Sequence, residues 1–169
     1  MEKYLPYIIA GSVLLVVILA LLIARFIRNA HQKKLGIDGE KRVAAKLRKF
    51  AGIRSFKVMN DLYLPLYDKT TQIDHILIGF FGLIVVETKN IGGEVYGEPK
   101  KKDWLHIMGK ERHTMYNPLM QNQTHIDCIR HLLGKENIYN VNIESLVVFT
   151  NRKVALYIPK KLPVITIKR

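Results

Sequence analysis

Cysteine is almost missing from this sequence: Cys128 is the single one among 169 residues. One thiol builds no intramolecular disulfide, so the fold needs no oxidising compartment. Cys128 falls in an expected helix with no basic partner nearby in sequence, which reads as a small buried hydrophobe rather than a nucleophile. Acid is scarce too, at 14 Asp and Glu against 27 Lys and Arg. The stretch from Leu35 to Arg169 carries 22 basic and 13 acidic side chains, a formal +9. That sign bias weakens the reading of a merely solubilising surface. It points to a polyanion nearby, either nucleic acid or an anionic lipid leaflet. Repeats and low-complexity segments are absent, which excludes a repeat array.

Formal charge is missing altogether from Leu5 to Ala24, a run of 20 residues rich in Leu, Ile, Val and Ala. At about 1.5 Å per residue a helix of that length spans roughly 30 Å, the thickness of bilayer hydrocarbon. A cleaved signal peptide has a basic start, a shorter apolar core and a small-residue cleavage site. Here the start is Glu2-Lys3, the core is long, and Ala24-Arg-Phe-Ile-Arg-Asn-Ala-His-Gln-Lys-Lys34 follows it. The expectation is an uncleaved, single-pass anchor in the cell membrane. Lys3 alone precedes it, whereas Arg25, Arg28, Lys33 and Lys34 follow, which puts the C-terminal side in the cytoplasm. Tyr4 and Tyr7 fit an aromatic belt at the outer interface. Residues 1–34 are therefore read as anchor and basic juncture, and 35–169 as a separate domain.

Within that domain, Gly36 to Phe50 reads as a helix, with Val43, Ala44, Leu47 and Phe50 on one stripe. Glu40 falls on the same stripe, and Gly36 and Gly39 would let the first turn approach other backbone closely. Strands are expected over 55–65, 71–79, 82–90, 92–99, 103–108, 111–116, 144–150 and 162–168. Asn117-Pro118 is a helix entry, with Asn as N-cap and Pro at the first position, and the helix stops near Gly134. The Lys100-Lys101-Lys102 run reads as a solvated loop and Trp104 as core. This order of elements predicts the α/β class, with a mixed central sheet flanked by helices and preceded by one transmembrane helix.

One hairpin carries chemistry. Thr71 to Gly79 and Gly82 to Asn90 are apolar strands joined by Phe80-Phe81 between glycines, a short antiparallel link. Its register places Ile78 against Leu83, Ile76 against Val85, and Asp74 against Glu87. Residues two apart on a strand share a face, so Glu87 and Lys89 point the way of Val85 and Leu83. Like charges directly opposite are destabilising, whereas hard cations take oxygen ligands. Two readings stay open here: a divalent-cation site, or a strand-end ion pair between Glu87 and Lys89 with Asp74 solvated. His75 faces the opposite side and reads as packing. His106, His113 and His125 have no recognisable ligand spacing.

The order "GIDGE" before a helix, "NDLYLP", "TQIDHILIG" with "GLIVVETKN", "GGEVYG", Trp104 and "YNPLMQNQTHI" resembles the nuclease-related domain (NERD) over about residues 36–150. That domain is similar to the PD-(D/E)xK nucleases. The resemblance implies a restriction-endonuclease-like sheet and hydrolysis of phosphodiester bonds in nucleic acid, DNA ahead of RNA. It assigns Asp74 as the metal-binding aspartate, Glu87 and Lys89 as the (D/E)xK half-motif, Glu40 as the acid of the first helix, and Gln121 as the glutamine of the later helix. Asp74, Glu87 and the Thr88 carbonyl would hold Mg²⁺ or Mn²⁺. The proline that ordinarily precedes the aspartate is Ile73 here. The family's domain would be expected to continue past Ile165. Two other functions compete: a non-catalytic nucleic-acid- or partner-binding module on the same fold, and an adaptor lying on anionic lipid.

Overall fold

The structure, a computed structural model, describes residues 5–66 and 69–167, with side chains from residue 14 onward. Tyr4, the Tyr7 side chain and Lys168 lie outside the described residues. One continuous helix, α1 (Leu5–Arg54), replaces the expected break between anchor and domain. The juncture holds no proline, and a lone glycine costs a helix only about 1 kcal/mol. Its Lys, Gln, Leu and Ala neighbours carry the helix through. Contacts divide the chain into two compact units, Met1–Ile37 and Asp38–Arg169. Among the described residues, α1 contains a stretch of mean hydropathy 1.9, none of it buried, long and apolar enough to cross a membrane.

The second unit is mixed α/β. Its elements after α1 are β1 (Lys57–Leu66), β2 (Lys69–Gly79), β3 (Gly82–Lys89), β4 (Gly93–Tyr96), β5 (Asp103–Met108), β6 (Glu111–Tyr116), α2 (Pro118–Lys135), β7 (Ile143–Phe149), β8 (Val154–Tyr157) and β9 (Val164–Thr166). They form two sheets, ordered β1-β2-β3-β7-β9 and β6-β5-β4-β8. β1, β2 and β3 pair antiparallel, whereas β3, β7 and β9 pair parallel. The sequence pattern missed β8, which is four residues long; its parallel pairing with β4 makes it a strand.

Both faces of the first sheet are covered. On one side Val43 and Leu47 of α1 pack on Ile84, Val86, Leu146 and Val148. On the other, Ile126 and Ile129 of α2 pack on Ile73, Ile76 and Val85. This explains why β3 is apolar at every position until Glu87. A third cluster joins Val95 and Trp104 of the second sheet to Val147 and Phe149. Trp104 is core, and its indole N–H donates to the Glu98 carbonyl at 3.0 Å.

The hairpin register is the expected one, with Ile78 against Leu83 and Ile76 against Val85. Gly82 closes the turn at φ +103°, where a Cβ would collide with the Asn142 carbonyl. The β2–β3 ladder ends at His75–Val86, one pair short of Asp74–Glu87. The β1–β2 ladder also omits Asp74, passing from Asn60–His75 to Leu62–Ile73. Asp61, which would stand opposite, turns to φ +53°, a region Asp tolerates better than most residues. Asp74 thus belongs to neither ladder, and its carboxylate bonds elsewhere.

Candidate active site

Glu87 sits near the carboxyl end of β3, the end of a strand where open α/β sheets commonly place ligands. It points to the α2 side and is 2% exposed. Lys89 shares its face and donates its ammonium to Glu87 Oε1 at 2.6 Å and to Gln121 Oε1 at 2.9 Å. The Lys89 side chain keeps 22% of its surface in solvent. Asp74 accepts the Thr88 backbone N–H at Oδ2, 2.7 Å away. On α2, Gln121 and His125 are four apart and so share one helix face. His125 Nε2 lies 3.3 Å from Glu87 Oε2, at an angle short of a full hydrogen bond. Its Nδ1 is 3.0 Å from the Thr71 hydroxyl.

Asp74, Gln121, His125, Thr71 and Tyr116 line one open cavity of about 400 Å³. α2 is aimed at it by two buried asparagines. Asn117 caps the helix by accepting the Leu119 N–H at 2.9 Å, and its amide donates to the Lys101 carbonyl at 2.7 Å. Asn122 ties the helix to the sheet, donating to the Val85 carbonyl and the Ser145 hydroxyl at 2.8 Å each.

The electrostatics follow from burial of like charges. Burial, and then the Glu87 charge, push the Asp74 carboxyl up to about 7, against the pull of the Thr88 N–H. Burial pushes Glu87 up as well, but His125 and Lys89 outweigh it and hold the carboxyl below the usual glutamate range. Glu40 is raised by burial and by the charges of Asp61 and Glu87, partly offset by Lys89. Glu40 therefore feels the site from α1. Among the described residues, however, no group of three or more His, Cys, Asp or Glu side chains could hold one metal.

The structure thus brings together Asp74, Glu87, Thr88, Lys89 and Gln121, with Glu40 nearby. His75 faces away, buried against Asn60 at 2.8 Å, and burial holds it down to about 4 despite the Glu87 charge. His106 and His113 form a cross-strand pair on the second sheet, away from the lining of this cavity. The sequence reading set His125 aside for want of ligand spacing and passed over Thr71. The helical spacing of Gln121 and His125 was the available signal; the Thr71 contact had none.

Residues 35–150 match the family described as the nuclease-related domain, NERD. The chain belongs to this family. An uncharacterized protein of Bacillus anthracis is 37% identical over 101 residues, covering 60% of this chain and 48% of that protein. The chain thus spans about half the length of the curated relative it matches. No solved structure matches it. The NERD match covers Glu40, Asp74, Glu87, Thr88, Lys89 and Gln121 alike.

Proposed function

We propose that this NERD protein is a membrane-anchored, metal-dependent nuclease acting on the cytoplasmic face. The observation that carries this reading is Glu87. A carboxylate 2% exposed leaves Oε2 without a full hydrogen bond, and its charge is felt by Asp74, a half-buried carboxylate that lines the open cavity. Buried polar atoms are ordinarily satisfied, so an unsatisfied carboxylate oxygen beside a second carboxylate fits a hard cation. Asp74, Glu87 and the Thr88 carbonyl are the donors that would hold Mg²⁺ or Mn²⁺; two carboxylates suffice for Mg²⁺, which keeps several waters. Such an ion supplies positive charge to phosphate oxygens and lowers the pKa of a coordinated water.

The chain's own residues have definite tasks. Gln121 fixes the Lys89 ammonium, whose third N–H offers charge to a phosphate where negative charge develops. His125, braced by Thr71, orients Glu87. Glu40 adds negative charge from α1 and would orient a hydrated cation. The basic surface gathers the substrate, DNA ahead of RNA.

A second reading has its own support. The Lys89–Glu87 contact already gives the buried carboxylate a cation, as in a non-catalytic binding module. Incubating the full chain in detergent with single- and double-stranded DNA and RNA decides between them. Cleavage is expected with Mg²⁺ or Mn²⁺ and none with EDTA, Asp74→Asn or Glu87→Gln. Binding without cleavage under every condition would establish the non-catalytic module. Cleavage that survives EDTA or both substitutions would place the chemistry elsewhere.

A further inference from the structure

The second sheet turns one face inward, through Val95, Trp104, Met115 and Leu156. Its other face is open and carries rings. Tyr157, Tyr96, Leu105 and Thr114 lie in one register row across β8, β4, β5 and β6. The Tyr96 and Tyr157 rings are stacked, with centroids 4.5 Å apart and planes 7° from parallel. Tyr116 stands two residues beyond Thr114 on β6, hence on the same face, and lines the cavity that holds Asp74. Exposure is 37% for Tyr96, 52% for Tyr157 and 46% for Tyr116. At about 4.8 Å between strands, the row from β6 to β8 is about 14 Å long. That is about four stacked nucleotides at about 3.4 Å each.

Cross-strand tyrosine pairs often serve the sheet alone. This pair differs in two respects. Its register row ends at Thr114 on β6, two residues from the cavity-lining Tyr116, and basic residues flank the strands in sequence. Arg112 projects from the same face, opposite Ile107. Lys100, Lys101 and Lys102 precede β5, with Lys101 paired to the Glu98 carboxylate at 2.6 Å, and Lys160 and Lys161 follow β8. Glu94 and Asp103 also lie on this face. Glu94 accepts the Tyr96 hydroxyl at 2.8 Å, which fixes that ring. A polyanion with flat, unpaired apolar groups fits this combination; a duplex hides its bases in its own stack.

We propose that this face is a stacking platform for a single-stranded nucleic acid, leading its backbone to the cavity lined by Asp74 and Gln121. The inference deepens the nuclease reading and rests on it for the direction of the strand. Aromatic platforms with cationic rims bind single strands in this way, at about 1–3 kcal/mol per stacked base.

Binding of fluorescent oligothymidylate to the full chain in detergent, in EDTA so that nothing is cut, tests the platform. An abasic strand and a duplex of equal length are the comparison probes. Wild type is expected to prefer oligothymidylate over both. Tyr96→Ala and Tyr157→Ala should each weaken it about tenfold, with abasic binding unchanged, and Tyr157→Phe should retain it. Unchanged affinity in both alanine variants, or equal binding of the duplex or the abasic strand, overturns the platform. If wild type still cuts nucleic acid with Mg²⁺ in that event, the nuclease reading stands alone. If wild type neither cuts nor binds any probe, both fall.

Discussion

Asp74 is the residue on which the site turns. It is left out of two ladders, desolvated, and set beside another carboxylate, with a single backbone N–H in compensation. Asp74→Asn keeps the shape and an oxygen for Thr88 but removes the charge. The metal-free variant should be as stable as wild type or more so by about 0.2–1 kcal/mol, the scale of cross-strand charge pairs. A metal that binds only the folded state stabilises by mass action. Mg²⁺ or Mn²⁺ should therefore raise the melting temperature of wild type and do much less for the variant. A variant that melts well below wild type in EDTA, with equal metal response, would make Asp74 a structural residue. Cys128 gives a second test. Its thiol is buried, lies 3.2 Å from the Pro65 carbonyl, and burial raises its pKa. A thiol raised in the folded state stabilises fully below its unfolded value and loses that contribution as pH rises through the folded one. The stability advantage of wild type over Cys128→Ala should thus shrink toward alkaline pH, read from urea melts. Thiol reagents should label Cys128 only on unfolding.

Among the elements, α1 shows how two similar glycines differ. Sequence treated Gly36 and Gly39 alike, as points of close backbone approach. A Cβ at Gly36 meets nothing within 4 Å, whereas at Gly39 it would stand 2.7 Å from Asn90 Cβ and 2.8 Å from the Thr150 hydroxyl. There α1 crosses the ends of β3 and β7, and Arg42 holds the Thr150 carbonyl at 3.2 Å. Gly36→Ala should gain up to about 1 kcal/mol from helix propensity. Gly39→Ala should lose more than it gains, because Asn90 Cβ is not the far end of a flexible side chain and cannot swing away. Denaturant melts of both variants check the opposite signs. Equal stabilisation would remove the close approach from the account. The same contrast shows what periodicity leaves open: it marks a face of a helix, not what lies against each position.

For the whole molecule, charge and topology make the predictions. Basic residues concentrate after the apolar run, so a reporter fused after Arg169 should be active in the cytoplasm, and protease added to intact cells should spare the domain. Digestion of the domain in intact cells would reverse the orientation. With a formal +9 over Leu35–Arg169, nucleic-acid affinity should fall linearly in log K against log salt as counterions are released. A salt-flat response, or binding to anionic vesicles alone, would favour the lipid adaptor.

What the sequence determined by itself was local. The apolar run specified a candidate span, and alternation with the Gly-Phe-Phe-Gly link specified the hairpin register. Asn117-Pro118 specified the start of α2, where the N-cap side chain does bond Leu119. Each follows from neighbours along the chain, through propensity, period and turn chemistry. Its resemblance to NERD named the polar residues without showing how they meet. Tertiary structure alone decided that. The Lys89–Gln121 bond spans 32 residues and the Thr71–His125 contact spans 54. Both depend on how α2 lies over the sheet, and that is set by the packing of Ile126 and Ile129 and by the Asn122 bonds. Only packing, likewise, made four-residue β8 a strand and stacked Tyr157 on Tyr96, since an edge strand exists by virtue of its partner.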